Sequence, residues 1–161
     1  MATEVKAVFK GEADSNGIRA FWMMLPGYGG LSAAASETVV NYTENPLYED
    51  LLLLDWYMAI YEEDAQDADL DIGIANDAAG TAADDTIFDS PVNTAETVLD
   101  GKPTGALNGT VSRPIWKAKG SSTDSFITSQ QNGNVDAADL KFNLVLHVAY
   151  LKDFSNGNSV A

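Results

Sequence analysis

The sequence has no cysteine, so neither a disulfide framework nor thiol catalysis is open to it. It has one histidine, His147. Without cysteine or a second histidine, zinc chemistry has too few ligands. No apolar run approaches the ~18 residues of a transmembrane helix. MATEVKAVFK lacks the apolar stretch of a secretory signal, so synthesis in a cytoplasm is expected. Most pointedly, Ala20 to Gly101 contains no Lys or Arg, yet holds 17 of the 24 acidic residues. The net charge of −15 comes from this middle stretch. Such a stretch repels phosphate and releases no counterions from nucleic acid, and it has no attraction for an anionic membrane. The partners left are another protein surface or divalent cations.

What is present fits one folded domain over residues 1–154, with a small polar tail over 155–161. A chain of 161 residues buries roughly 70% of its unfolded surface. Three Trp, six Tyr and six Phe supply a core that a disordered acidic chain lacks. Leu140 to Leu151 alternates apolar and milder residues with period 2, which predicts a strand with one buried face. Asp69 to Ile74 alternates in the same way. Leu51 to Tyr61 is apolar on nearly both faces, and its aromatics favour a central strand over a buried helix. Shorter strands are expected at Glu4–Lys10, Ile18–Leu25, Gly109–Ala118 and Asp124–Ser129, separated by Gly- and Asn-rich turns. One short helix is expected at Thr94–Leu99, capped by Asn93 or Thr94 and stopped at Gly101. The sum is an all-β, mainly antiparallel domain, a β-sandwich or jelly roll.

Asp67, Asp69 and Asp71, just after Glu62, Glu63 and Asp64, are the candidates for a calcium site, because alternate strand residues present carboxylates on one face. An EF-hand register fails, since its glycine falls at Ile72 and its glutamate at Ala78. A solvated strand face is the simpler reading, and no cofactor is expected. Asp84, Asp85 and Asp89 form a second acidic group. No G-x-S-x-G elbow accompanies His147, and the Gly27-Tyr-Gly-Gly30 run lacks the rest of a nucleotide loop. The chain is therefore read as no enzyme. Trp22, Trp56 and Trp116 all lie in strand candidates, where core packing is expected. Pro26–Glu49 reads as a long loop excursion; segments of that length are commonly functional. Its aromatics Tyr28, Tyr42 and Tyr48 are candidate partner contacts. The sequons at Asn41 and Asn108 read as coincidences.

The layout resembles small β-sandwich virion proteins of tailed phages, among them head decoration (cement) proteins. The resemblance is carried by Asp14-Ser-Asn-Gly17 leading to Leu25-Pro-Gly27, by Ala68-Asp-Leu-Asp-Ile-Gly73, and by Asp85-Thr-Ile-Phe-Asp89 before Thr94–Val98. Asp124-Ser-Phe-Ile127 and the closing Asp139–Tyr150 complete it. It implies a non-enzymatic protein on the outer capsid surface, made in a host cytoplasm, bound to the major capsid protein and grouped as homotrimers. Lys6, Lys10, Arg113, Lys117 and Lys119 would then meet an acidic shell. A tail or fibre protein and a secreted calcium-dependent carbohydrate-binding sandwich are the alternatives.

Overall fold

A computed structural model describes residues 2–10, 18–32, 38–101, 113–133 and 135–155. They form two packed sheets, so the fold is an all-β sandwich. One sheet has the order β1 (Thr3–Glu4), β4 (Thr38–Glu44), β10 (Phe126–Asn132), β6 (Asp69–Ala75), β7 (Phe88–Asp89). The other has the order β2 (Val8–Lys10), β3 (Ala20–Gly29), β11 (Lys141–Tyr150), β5 (Leu51–Glu62), β8 (Thr97–Asp100), with β9 (Ile115–Trp116) also on β5. Every strand pair is antiparallel except β1 with β4.

The alternation of β11 puts Phe142, Leu144, Leu146 and Val148 into the core, fully buried. On β5 the inward set changes phase: Leu51 and Leu53, then Trp56, Met58 and Ile60. The register explains this. Val148 faces Leu53 and His147 faces Asp55, so Leu54 is an extra residue, a bulge that swaps the faces of the strand. A strand that reads as apolar on both faces is thus two half-strands of opposite phase. Trp56 anchors the middle of the core and donates its indole N–H to the Ile87 carbonyl at 2.8 Å.

The expected excursion over Pro26–Glu49 is corrected. β3 runs on through Pro26 to Gly29 by a second bulge, where Gly27 (φ +78°) and Pro26 lie opposite Asn143. Asn143 Oδ1 accepts from Gly27 N at 3.0 Å. β4 occupies another seven residues of the segment. Its inward side chains Asn41 and Thr43 are polar, and so its sequence shows no apolar alternation. Both are satisfied: Asn41 Oδ1 accepts from Gly29 N, and Thr43 donates to the Val5 carbonyl.

The expected helix at Thr94–Leu99 is also corrected. The Asn93 side chain does not cap a following turn; it clamps Ala68 through both its N–H and C=O, and accepts nothing from residues ahead. The chain is delivered to the edge of β5 as β8. Among the described residues one short helix, α1, occurs instead at Leu151–Ser155. Glu4–Lys10 is two short strands in different sheets, joined through the buried Val5. Asp14–Gly17, residues 109–112 and the tail beyond Ser155 lie outside the described residues.

Candidate docking surface

β11 defines two ends for the sandwich. The Tyr150 end gathers the starts of β3, β5 and β10, the end of β4 and the helix α1. The Lys141 end gathers the loop 63–68 and residues 135–140. Charge is divided unequally between them. At the Lys141 end, Lys141 is the only cation among the described residues, and it pairs with Glu62 at 2.5 Å. Around it stand Glu63, Asp64, Asp67, Asp69, Asp136 and Asp139.

The Tyr150 end holds Lys6, Arg19, Arg113, Lys117, Lys119 and Lys152, interleaved with acids. Its frame is Asn45, fully buried, whose amide N–H groups reach the carbonyls of Glu49, Trp116 and Lys117, while its carbonyl accepts from Leu47 N at 2.9 Å. This one side chain fastens loop 45–50 to segment 116–119, which lies far off in sequence. Lys119 N donates to the Leu47 carbonyl, and Gly120 N donates to Glu44. A cleft of about 300 Å³ next to this junction is lined by Lys6, Lys119, Glu4 and Glu44.

Lys117 Nζ meets Asp50 at 2.9 Å. Partial burial opposes ionisation of Asp50, but the bonds from Lys117 and Ala118 N outweigh it and hold the carboxyl below its ordinary range. Lys152 pairs with Glu49, and Arg19 grips Asp153 through two guanidinium nitrogens. Two aromatic side chains project from the same end: Tyr48 is 79% exposed and Phe154 46%.

Of the residues singled out in the sequence, Lys6, Tyr48, Arg113, Lys117 and Lys119 are therefore brought to one end. Arg113 has a structural task as well, since its guanidinium donates to the Leu54 carbonyl at the β5 bulge. Tyr42 is half-buried on β4, its ring 6.1 Å from that of Phe126. Lys10 ends β2, opposite Trp22. Tyr28 is corrected from loop contact to core residue: it is fully buried, its hydroxyl sits 2.9 Å from Thr43 Oγ1, and burial pushes its phenol up. Trp22 is corrected in the opposite sense. It is 42% exposed on the outer face of its sheet, stacked at 4.6 Å on His147. Phe154 escaped the sequence reading because it lies past the strand expected over Leu140–Leu151, where no further element was expected and the helix α1 carries it.

The acidic candidates separate. Asp67 Oδ1 accepts from Asn93 N, Asp69 from Ser90 Oγ, and Asp71 from Asn132 Nδ2. Asp69 and Asp71 share a cleft with Asp84 and Asp85, of which Asp67 is not part. Among the described residues no group of three His, Asp or Glu is placed to surround a metal ion. Burial, then the repulsion of Asp69, Asp89 and Asp85, raises Asp71 above the usual carboxylate range, against the bond from Asn132.

No protein-family model matches the chain, and no curated protein matches it. Among solved structures, a chain from the capsid of Ralstonia phage GP4 superposes with a TM-score of 0.49 and 14% identity, over 92% of this chain and 98% of that one.

Proposed function

We propose that this chain is a non-enzymatic virion structural protein, a capsid decoration protein that seats its Tyr150 end on the outer surface of an assembled shell. The observation that carries the reading is the unequal ends of the sandwich. The Lys141 end is nearly all anionic and would be repelled by an acidic shell. The Tyr150 end has mixed charge and two exposed aromatics, a composition suited to protein contacts. With that end down, the acidic end points to solvent and keeps a coated particle soluble. Binding energy would come from Tyr48 and Phe154, because exposed ion pairs contribute only about 0–1 kcal/mol each. Many copies, each bridging adjacent subunits of the major capsid protein, would stabilise the shell even if single contacts are modest.

Quantitative mass spectrometry of density-purified, nuclease-treated particles tests the reading. Copy number near that of the shell subunit is expected. A handful of copies would move the protein to the tail or fibres, and absence would end the virion reading. On particles, Tyr48→Ala should weaken binding, and Lys6→Glu with Lys119→Glu should change its salt dependence.

A further inference from the structure

The sequence holds four Asn-Gly pairs, at 16–17, 108–109, 132–133 and 156–157, and the third lies within the described residues. A glycine has no Cβ to keep its backbone nitrogen away from the side chain before it. That nitrogen can attack the asparagine Cγ. A new N–C bond closes a succinimide ring, the Cγ–Nδ2 bond breaks, and ammonia leaves with the proton that the backbone nitrogen gives up. Water then opens the ring at either carbonyl, leaving aspartate or isoaspartate.

The structure favours this step at Asn132. It is the last residue of β10, half-buried, and its rung with Asp69 is the last of the β10–β6 ladder. Gly133 is exposed beyond the ladder at φ +75°, with open space where a Cβ would stand. Turning its nitrogen onto Cγ therefore disturbs only a strand end, the part of an element that opens most readily. The Asn132 amide also lines the cleft of about 470 Å³ that holds Asp69, Asp71, Asp84 and Asp85. A polar cleft of this size admits the water that opens the ring.

We propose that Asn132 is a self-modification site, whose side-chain amide is lost to Gly133 N in the folded chain, leaving a carboxylate against Asp71. The product reverses the local interaction. Asn132 Nδ2 now donates to Asp71 Oδ2 at 2.6 Å. After conversion the donor is gone and a second carboxylate stands in its place. Two carboxylates this close cannot both ionise, so the pair must share a proton. Burial, then repulsion from Asp69, Asp89 and Asp85, already raises Asp71, and the bond from Asn132 works against them. Losing that bond raises the folded value further. Stability at this site is then full below the ordinary carboxylate value of about 4 and is lost as pH rises through the raised one. The change is one-way: an aged chain carries more negative charge and a looser β6–β10 pairing at its acidic end. It does not rest on the capsid reading.

The full chain, incubated folded in mildly alkaline buffer and sampled over days, tests the proposal. Trypsin releases residues 120–141 as one peptide, so conversion at the other three pairs does not enter. Its fragment spectra should place the mass gain of amide-to-acid conversion at Asn132, with isoaspartate detected by enzymatic methyl labelling. Asn132→Gln should abolish both signals. The converted fraction, resolved by anion exchange, and the Asn132→Asp variant should each melt about 5 °C below the parent at pH 7, with the gap closing near pH 3. Conversion in urea but not in the folded chain would overturn the site, because the fold would then protect the pair. Converted chain that melts like the parent at pH 7 would overturn the opposition to Asp71.

Discussion

Gly73 lies so close under Asp84 that a Cβ on it would stand 1.9 Å from the Asp84 carbonyl oxygen. The contact belongs to a strap that closes the outer edge of β6. Backbone N–H groups of Asp84, Ile87 and Ser90 donate to the carbonyls of Ile74, Ile72 and Leu70, and Asp84 Oδ1 accepts from Ile74 N at 2.8 Å. An edge covered this way cannot recruit a foreign strand. Gly73→Ala must push the strap outward and should cost about 1–3 kcal/mol in urea unfolding. Asp84→Ala removes the acceptor for Ile74 N and loosens the same strap. The double variant should therefore cost less than the two single costs added together.

Asp71 gives a pH dependence of unusual sign for a carboxylate. Its folded-state value is raised, chiefly by burial, so the folded chain holds this proton more tightly than the unfolded one. Stability from this group is full below the ordinary carboxylate value of about 4 and declines as pH rises through the folded value. Asp71→Asn should raise the melting temperature at pH 7, keeping a side-chain carbonyl to accept from Asn132. That gain should vanish near pH 3, where the aspartate is protonated anyway. A variant that gains nothing at pH 7 would show that the carboxylate is adequately solvated.

The legible parts of this fold were those whose buried side chains are apolar at period 2: β11, β6 and both halves of β5. β4 was illegible because its inward Asn41 and Thr43 are polar and are answered by Gly29 N, Tyr28 and the Val5 carbonyl. The continuation of β3 was hidden by Pro26-Gly27, a turn signal used here for a bulge, and with it went the placement of Tyr28. Asn93 has the chemistry of a helix cap; only the tertiary contact to Ala68 shows that its hydrogen bonds are committed elsewhere. The cations at the Tyr150 end were recognised singly. Their convergence depends on Asn45, whose partners Trp116 and Lys117 lie 71 and 72 residues away.

Asn45 should accordingly be the most sensitive polar position at that end. Asn45→Ala strands the Leu47 N–H and three carbonyl groups in or near the core, at a cost of about 2 kcal/mol or more. Asn45→Asp should be worse, since it keeps the acceptor for Leu47 but turns a negative charge toward carbonyl oxygens. Hydrogen exchange on Asn45→Ala should show loop 45–50 and segment 116–119 losing protection together, with β11 unchanged. If β11 opens with them, Asn45 supports the whole domain and not only the docking end.

Arg19 and Asp153, 134 residues apart, close the two strands beside Tyr150. Arg19 Nε and Nη2 each lie 3.0 Å from a different carboxylate oxygen, Arg19 N adds a third bond at 3.0 Å, and the guanidinium stacks 4.1 Å from the Tyr150 ring centre. Bidentate geometry distinguishes this pair from the ordinary surface bridge. The side-chain hydrogen bond from Arg19 holds Asp153 below the usual carboxylate range. The unfolded chain then binds the proton more readily, so the stabilisation is present above about pH 4 and is lost as pH falls through the lower folded value. Acidification should therefore release α1 before the sheets open, seen as early loss of exchange protection at Leu151 N, which donates to the Asp50 carbonyl. Asp153→Asn should abolish that acid step, and Arg19→Lys should shift it to higher pH because an ammonium cannot span both oxygens. An acid transition identical in all three proteins would mean that a titrating group other than the Arg19–Asp153 pair governs the release of α1.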